Sequence, residues 1–143
     1  MKTLALLIGF CLATAGAFAQ DAAHAITGVW FNQEKDGKIE IYENGGKYFG
    51  KLIWVKDTYE PDGKTPKKDS KNQDASLRNR PLVGVVLLTN FTYSDGKYRD
   101  GKIYDPKSGK TYSCIMTPKG NSLDIRGYIG VSMFGRTTTW TRP

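Results

Sequence analysis

From Gly28 onward the chain is cut at short intervals by residues that accept a positive φ, and the stretches between the cuts read as strands. Asp36-Gly37, Asn44-Gly45-Gly46, Asp95-Gly96, Ser108-Gly109 and Lys119-Gly120-Asn121 are the clearest turn signals. They separate eight runs: 28–33, 38–43, 48–56, 83–91, 97–104, 110–117, 122–129 and 136–142. In the third run Tyr48, Leu52 and Trp54 share one parity, and the fourth is apolar on both parities and is placed centrally. Helical periodicity is absent, save for one turn around Ala75–Leu77. Strands joined in order by short turns predict an all-β fold, an eight-stranded antiparallel up-and-down barrel whose closure removes exposed edges. A two-sheet sandwich with Greek-key connections is the competing architecture. Asp-Gly-Lys recurs without a common period, which makes it turn chemistry and not a structural repeat.

Ahead of the strands, Lys2, the apolar stretch Leu4–Leu12 and Ala17-Phe18-Ala19 spell a cleavable leader over residues 1–19. A short extension, 20–27, then leads into one domain, 28–143. Ala23-His24-Ala25 offers a second cleavage site of the same form. The apolar stretch is well short of the ~20 residues of a spanning helix. An exported bacterial protein, periplasmic or secreted and without a membrane span, is therefore expected.

The chain has one histidine, His24, placed where a new N-terminus would fray, and Cys114 is its only cysteine outside the leader. An intramolecular disulfide is excluded, and zinc sites and histidine-activated nucleophiles lose their usual ligands and bases. Cys114 shares strand parity with Tyr112 and Met116 and is expected to be an inert interior thiol. Gly130–Gly135 is one residue too long for a nucleophile elbow, and Gly63-Lys64-Thr65 and Gly109-Lys110-Thr111 lack the earlier glycine of a phosphate loop. No catalytic residue, metal or cofactor is assigned, and the protein is expected not to be an enzyme. The net charge is +7, but the lysines are spread over almost every turn, which argues against nucleic acid as a partner. A weaker reading of that charge is attraction to anionic envelope material such as acidic lipid or polysaccharide.

Residues 57–81 break the rhythm: eleven of the twenty-five are charged, and Pro61, Pro66 and Pro81 interrupt them. Loops beyond ~12–15 residues tend to be lids, binding loops or disordered linkers. As a lid over one barrel mouth, the loop would pack Leu77 downward. Arg78 and Arg80, on one parity, would then meet a carboxylate or phosphate head group whose apolar tail runs inward. The alternative pairs both arginines with the loop's own acids, Asp69 and Asp74. Tyr104 and Tyr112 flank one hairpin and are read either as a cross-strand aromatic pair or as further ligand contacts.

Gly28-Val29-Trp30 at the first strand and Arg142 at the last resemble the lipocalin-like (calycin) barrels. The resemblance implies that Trp30 plugs one barrel end with Arg142 lying across its indole, so that Gly28, Trp30 and Arg142 form the closure. Over Gly28–Arg142 the chain also resembles the domain-of-unknown-function family 2147, small exported bacterial proteins. It does so through Gly28–Trp30, Lys38–Tyr42, Asn72 with Leu77–Pro81, Gly101–Pro106, Ser108–Tyr112, Arg126–Gly130 and Phe134–Arg136. That likeness implies a calycin-like fold and export, and no activity, substrate or catalytic residue. The expected function is non-enzymatic binding of a small amphipathic or anionic ligand. The rival is a solid-barrel interaction module that binds an envelope protein or polysaccharide, and an enzyme comes third. Cavity volume separates the first two, because a small barrel can be filled solid by its own side chains.

Overall fold

Two-residue turns join strand Gly37–Asn44 to Lys47–Val55, Val86–Ser94 to Lys97–Asp105, and Lys110–Lys119 to Ser122–Tyr128 as hairpins. Gly45-Gly46 and Asp95-Gly96 adopt positive φ at both positions, the geometry that matches the twist of an antiparallel pair. The structure, a computed structural model, describes residues 21–143. The expected leader, 1–19, lies outside the described residues. The strands are β1 (Gly28–Phe31), β2 (Gly37–Asn44), β3 (Lys47–Val55), β4 (Val86–Ser94), β5 (Lys97–Asp105), β6 (Lys110–Lys119), β7 (Ser122–Tyr128) and β8 (Arg136–Thr141). Each pairs antiparallel with the next, and β8 returns to β1, closing an up-and-down barrel. A 3-10 turn occupies Ala75–Leu77, and a second covers Ser132–Phe134.

Alternation along the strands sends one face inward. Ile39 and Ile41 of β2, Tyr48 and Leu52 of β3, Cys114 and Met116 of β6, and Leu123 and Ile125 of β7 are all buried. One local departure from the sequence reading comes from a bulge. A register shift between Lys38 and Ile39 leaves Trp54 opposite Lys38, so Trp54 leaves the parity of Tyr48 and Leu52. It packs edge-on to Phe31 at 6.3 Å, with Lys38 Nζ 5.2 Å from its ring. Strand β4 opens at Val86 and not at Val83. Before it, Gly84 N–H donates to Leu52 O and Val85 O accepts from Leu52 N–H, which clasps this segment to β3. The double apolar parity of β4 also has a local cause. Register shifts against β3 and a φ of 61° at Asn90 bury Leu87, Leu88 and Phe91 together.

The segment before β1 does not fray. Residues 21–24 make one helical turn, Ile26 is buried, and Ala23 packs on the core. Tyr98 donates its hydroxyl to Ala23 O at 2.5 Å, Trp30 Nε1 donates to Ile26 O at 2.8 Å, and His24 Nδ1 lies 3.2 Å from the Tyr48 hydroxyl. Residues 21–27 thereby cap the barrel end that carries the two-residue turns.

Candidate functional site

The barrel is solid at the capped end and hollow at the other. In the solid half, Leu88 covers Gly50 and Phe91 covers Gly101, so large side chains fill the room that glycine leaves on the facing strand. Tyr48 packs edge-on to Tyr98 at 5.1 Å between ring centroids, and Tyr93 lies tilted against it at 5.0 Å. The hollow half holds a cavity of about 770 Å³ that is open at the mouth. Its inner wall is apolar, from Ile39, Leu52, Leu87, Ile103, Tyr112, Ile125 and Trp140, with Gly37 and Gly127 set among them. Its rim is charged, with Lys56, Lys67, Lys68, Lys71, Lys107 and Arg136 facing Glu34, Asp36, Asp57, Glu60 and Asp105. Lys107 is paired with Asp36 at 2.8 Å.

The charged loop between β3 and β4 forms one wall of that mouth. Isolated bridges pair Tyr59 with Pro66 and Lys68 with Pro81. At its centre Asp69 is fully buried. The carboxylate accepts from Arg80 Nε at 3.0 Å, Asn72 Nδ2 at 2.8 Å and the Tyr104 hydroxyl at 2.5 Å, and Arg80 Nη2 lies 2.9 Å away. Burial alone would raise the Asp69 pKa, but hydrogen bonds from Tyr104, Asn72 and Arg80, with the Arg80 charge, hold it below the usual carboxylate range. Burial and the adjoining Asp69 push the Tyr104 hydroxyl up to about 12.

These contacts place the sequence-derived candidates. Arg80 is on Asp69, and Arg78 donates to the carbonyls of Asn72 at 2.7 Å and Gln73 at 3.3 Å. Neither arginine lines the main cavity. Asp74 accepts from Ser76 N–H and caps the short 3-10 turn. Tyr104 and Tyr112 do not form a cross-strand pair, because the register sets Tyr104 against Thr111 and Tyr112 against Ile103. They consequently face opposite sides of the sheet, Tyr112 into the cavity and Tyr104 toward the loop at the cavity's edge. Cys114 is buried, and burial pushes its thiol up to about 12. The interior glycines and the rim lysines were not among the candidates. A glycine at an inward parity, such as Gly127 opposite Cys114, was their available signal.

At the capped end the Arg142 guanidinium lies 3.9 Å from the Trp30 ring centroid. It donates to Val29 O at 3.2 Å and Ala25 O at 2.9 Å. Gly28 has a φ of 107°, and a Cβ there would sit 2.9 Å from Arg142 Nη1, so both backbone and space call for glycine. Among the described residues no three His, Cys, Asp or Glu side chains gather as metal ligands.

A closed up-and-down barrel, capped behind a tryptophan crossed by an arginine and hollow at its other end, defines the lipocalin-like class. The chain belongs to the family described as "Uncharacterized protein conserved in bacteria (DUF2147)", which it matches over residues 28–142. It is also similar to the solved structure of protein HP1028 from the human pathogen Helicobacter pylori, described as belonging to the lipocalin family. The two share 30% identity over 82% of each chain, with a TM-score of 0.70. Comparison with curated proteins finds no match.

Proposed function

We propose that this protein is an exported, non-enzymatic binder that holds a small amphipathic molecule in the hollow half of its barrel. The observation that carries the reading is the cavity of about 770 Å³, which has apolar walls and a charged rim. That volume lies within the range of small-ligand pockets, roughly 300–1,000 Å³. A solid interaction module would fill both halves as the capped half is filled. The apolar part of the ligand lies along Ile103, Tyr112 and Ile125, and its polar head stays at the rim.

Arg78 and Arg80 serve the head group indirectly, by fixing the loop through Asn72, Gln73 and Asp69. Direct contact falls to Lys67, Lys68, Lys71 and Arg136, none of which is ion-paired among the described residues. These four cations favour a carboxylate or phosphate head. Export rests on the leader-like residues 1–19, which would make the site periplasmic or extracellular.

Titration with a fluorescent fatty acid tests the reading. The wild type should enhance the probe's emission with saturable, single-site behaviour. Gly127→Leu, which projects a side chain into the cavity beside Tyr112 and Ile103, should abolish binding while the protein remains folded. Absence of wild-type binding, for this probe and for its neutral alcohol, would reject the binder.

A further inference from the structure

Between β7 and β8 the chain raises four large apolar side chains into solvent. Met133 is 74% exposed and Phe134 80%, with Ile129 and Val131 more than half exposed beside them. Exposure of this kind usually accompanies a slack loop, but this one is braced. Arg126 donates Nε to Ser132 O at 2.8 Å, Nη2 to Met133 O at 3.2 Å and Nη1 to Thr137 Oγ1 at 2.9 Å. Gly135 lets the returning chain pass against Gly127, since a Cβ there would sit 2.7 Å from Gly127 O. Hydrogen bonds therefore hold the loop in place, with Met133 and Phe134 in a 3-10 turn that has no buried residue. A contiguous apolar patch on a soluble surface is costly in water and marks a contact surface.

The charge around the loop indicates what it contacts. Arg126 and Arg136 flank it, and no acidic residue occurs from residue 125 to the C-terminus. Ile129 shares an outer groove with Val86, Leu77, Arg80 and Lys110. The one carboxylate along that groove, Asp74, is engaged by Ser76 N–H and Oγ. Four side chains on one loop fall short of the ~800 Å² per partner of a standard protein interface. An apolar tip flanked by two arginines suits a bilayer, where the side chains enter the acyl boundary and the cations meet anionic head groups.

We propose that the loop Ile129–Phe134 is a docking finger for an anionic lipid surface. It rises at the hollow end, and Arg136, directly after it, lines the cavity rim. Docking would therefore bring the mouth to the bilayer, where amphipathic molecules reside. The proposal does not depend on the cavity being a binding site, because Met133 and Phe134 lie outside its lining.

Flotation with vesicles tests it. The wild type should float with phosphatidylcholine–phosphatidylglycerol vesicles and stay behind with pure phosphatidylcholine. Met133→Ser with Phe134→Ser should weaken partition by roughly tenfold or more at an unchanged melting midpoint. As a second readout, Phe134→Trp should add a fluorescence component that shifts to the blue only when anionic vesicles are added. Failure of the wild type to float, equal flotation with neutral vesicles, or full retention in the double variant would each overturn the proposal. So would self-association that the double variant abolishes while no vesicle is bound, since the finger would then pair with a second copy.

Discussion

Two charged residues do opposite work in this barrel. Arg142 bridges the carbonyls of Val29 and Ala25, and it does so over the face of Trp30, where a guanidinium is attracted by the ring. Arg142→Ala loses the stack and two charge-assisted hydrogen bonds at a partly exposed site. Its unfolding free energy should fall by about 1–2 kcal/mol, read as a lower denaturant midpoint with an unchanged slope. Arg142→Lys should recover little, because an ammonium cannot stack and fork at once. Asp69 acts from within the loop. Its folded pKa is depressed, so its stabilisation is complete above the unfolded carboxylate value of about 3.9 and is lost as pH falls through the folded value. Asp69→Asn should cost on the order of 1–2 kcal/mol at neutral pH, where Arg80 would lose its counter-charge. The variant should then show a flatter loss of stability than the wild type between neutrality and the acid side of pH 4. Parallel pH profiles for the two proteins would show that the clasp contributes nothing.

At the scale of elements, the weak point is the seam. β1 and β8 meet through a single aligned pair, Phe31 with Thr141. Side chains complete the joint, since Thr139 N–H donates to Gln33 Oε1 at 2.9 Å and Arg142 reaches Val29 and Ala25. Residues 21–27 brace the same region from below. Removing residues 21–25 would withdraw the carbonyls that Tyr98 and Arg142 use, so the truncated chain should melt several degrees lower than one beginning at Gln20. The strands themselves were legible because turn chemistry and period-two alternation are local properties. What was hidden depends on a neighbour. Trp54 turns outward through a register shift, Val85 is buried through a clasp on Leu52, and His24 is held by Tyr48 from another strand. The loop was legible as an anomaly and as an Asp69–Arg80 option. Nothing local predicted that Tyr104 would complete that cluster from β5.

For the whole molecule, the division into a filled half and a hollow half is the property on which the proposed binding rests, and four inward glycines mark it. Gly37 and Gly101 read in the sequence as turn chemistry, and what opposes a glycine across a barrel is invisible along the chain. In the filled half, a Cβ at Gly50 would stand 2.7 Å from Leu88 Cδ1, and one at Gly101 would enter the Phe91 ring. In the hollow half, the nearest atoms to a new Cβ are Leu52 Cδ1 at 3.4 Å for Gly37 and Tyr112 Cβ at 3.6 Å for Gly127. Alanine at Gly50 or Gly101 must displace a core side chain, at a cost of about 1–3 kcal/mol. Alanine at Gly37 or Gly127 meets ordinary contacts and reduces the freedom of the unfolded chain, for a change between zero and a gain of about 1 kcal/mol. Four single variants, compared by chemical denaturation, should therefore fall into two groups according to which end of the barrel they occupy. If Gly127→Ala proved as damaging as Gly101→Ala, the hollow half would be packed in solution and the cavity could not accept a ligand.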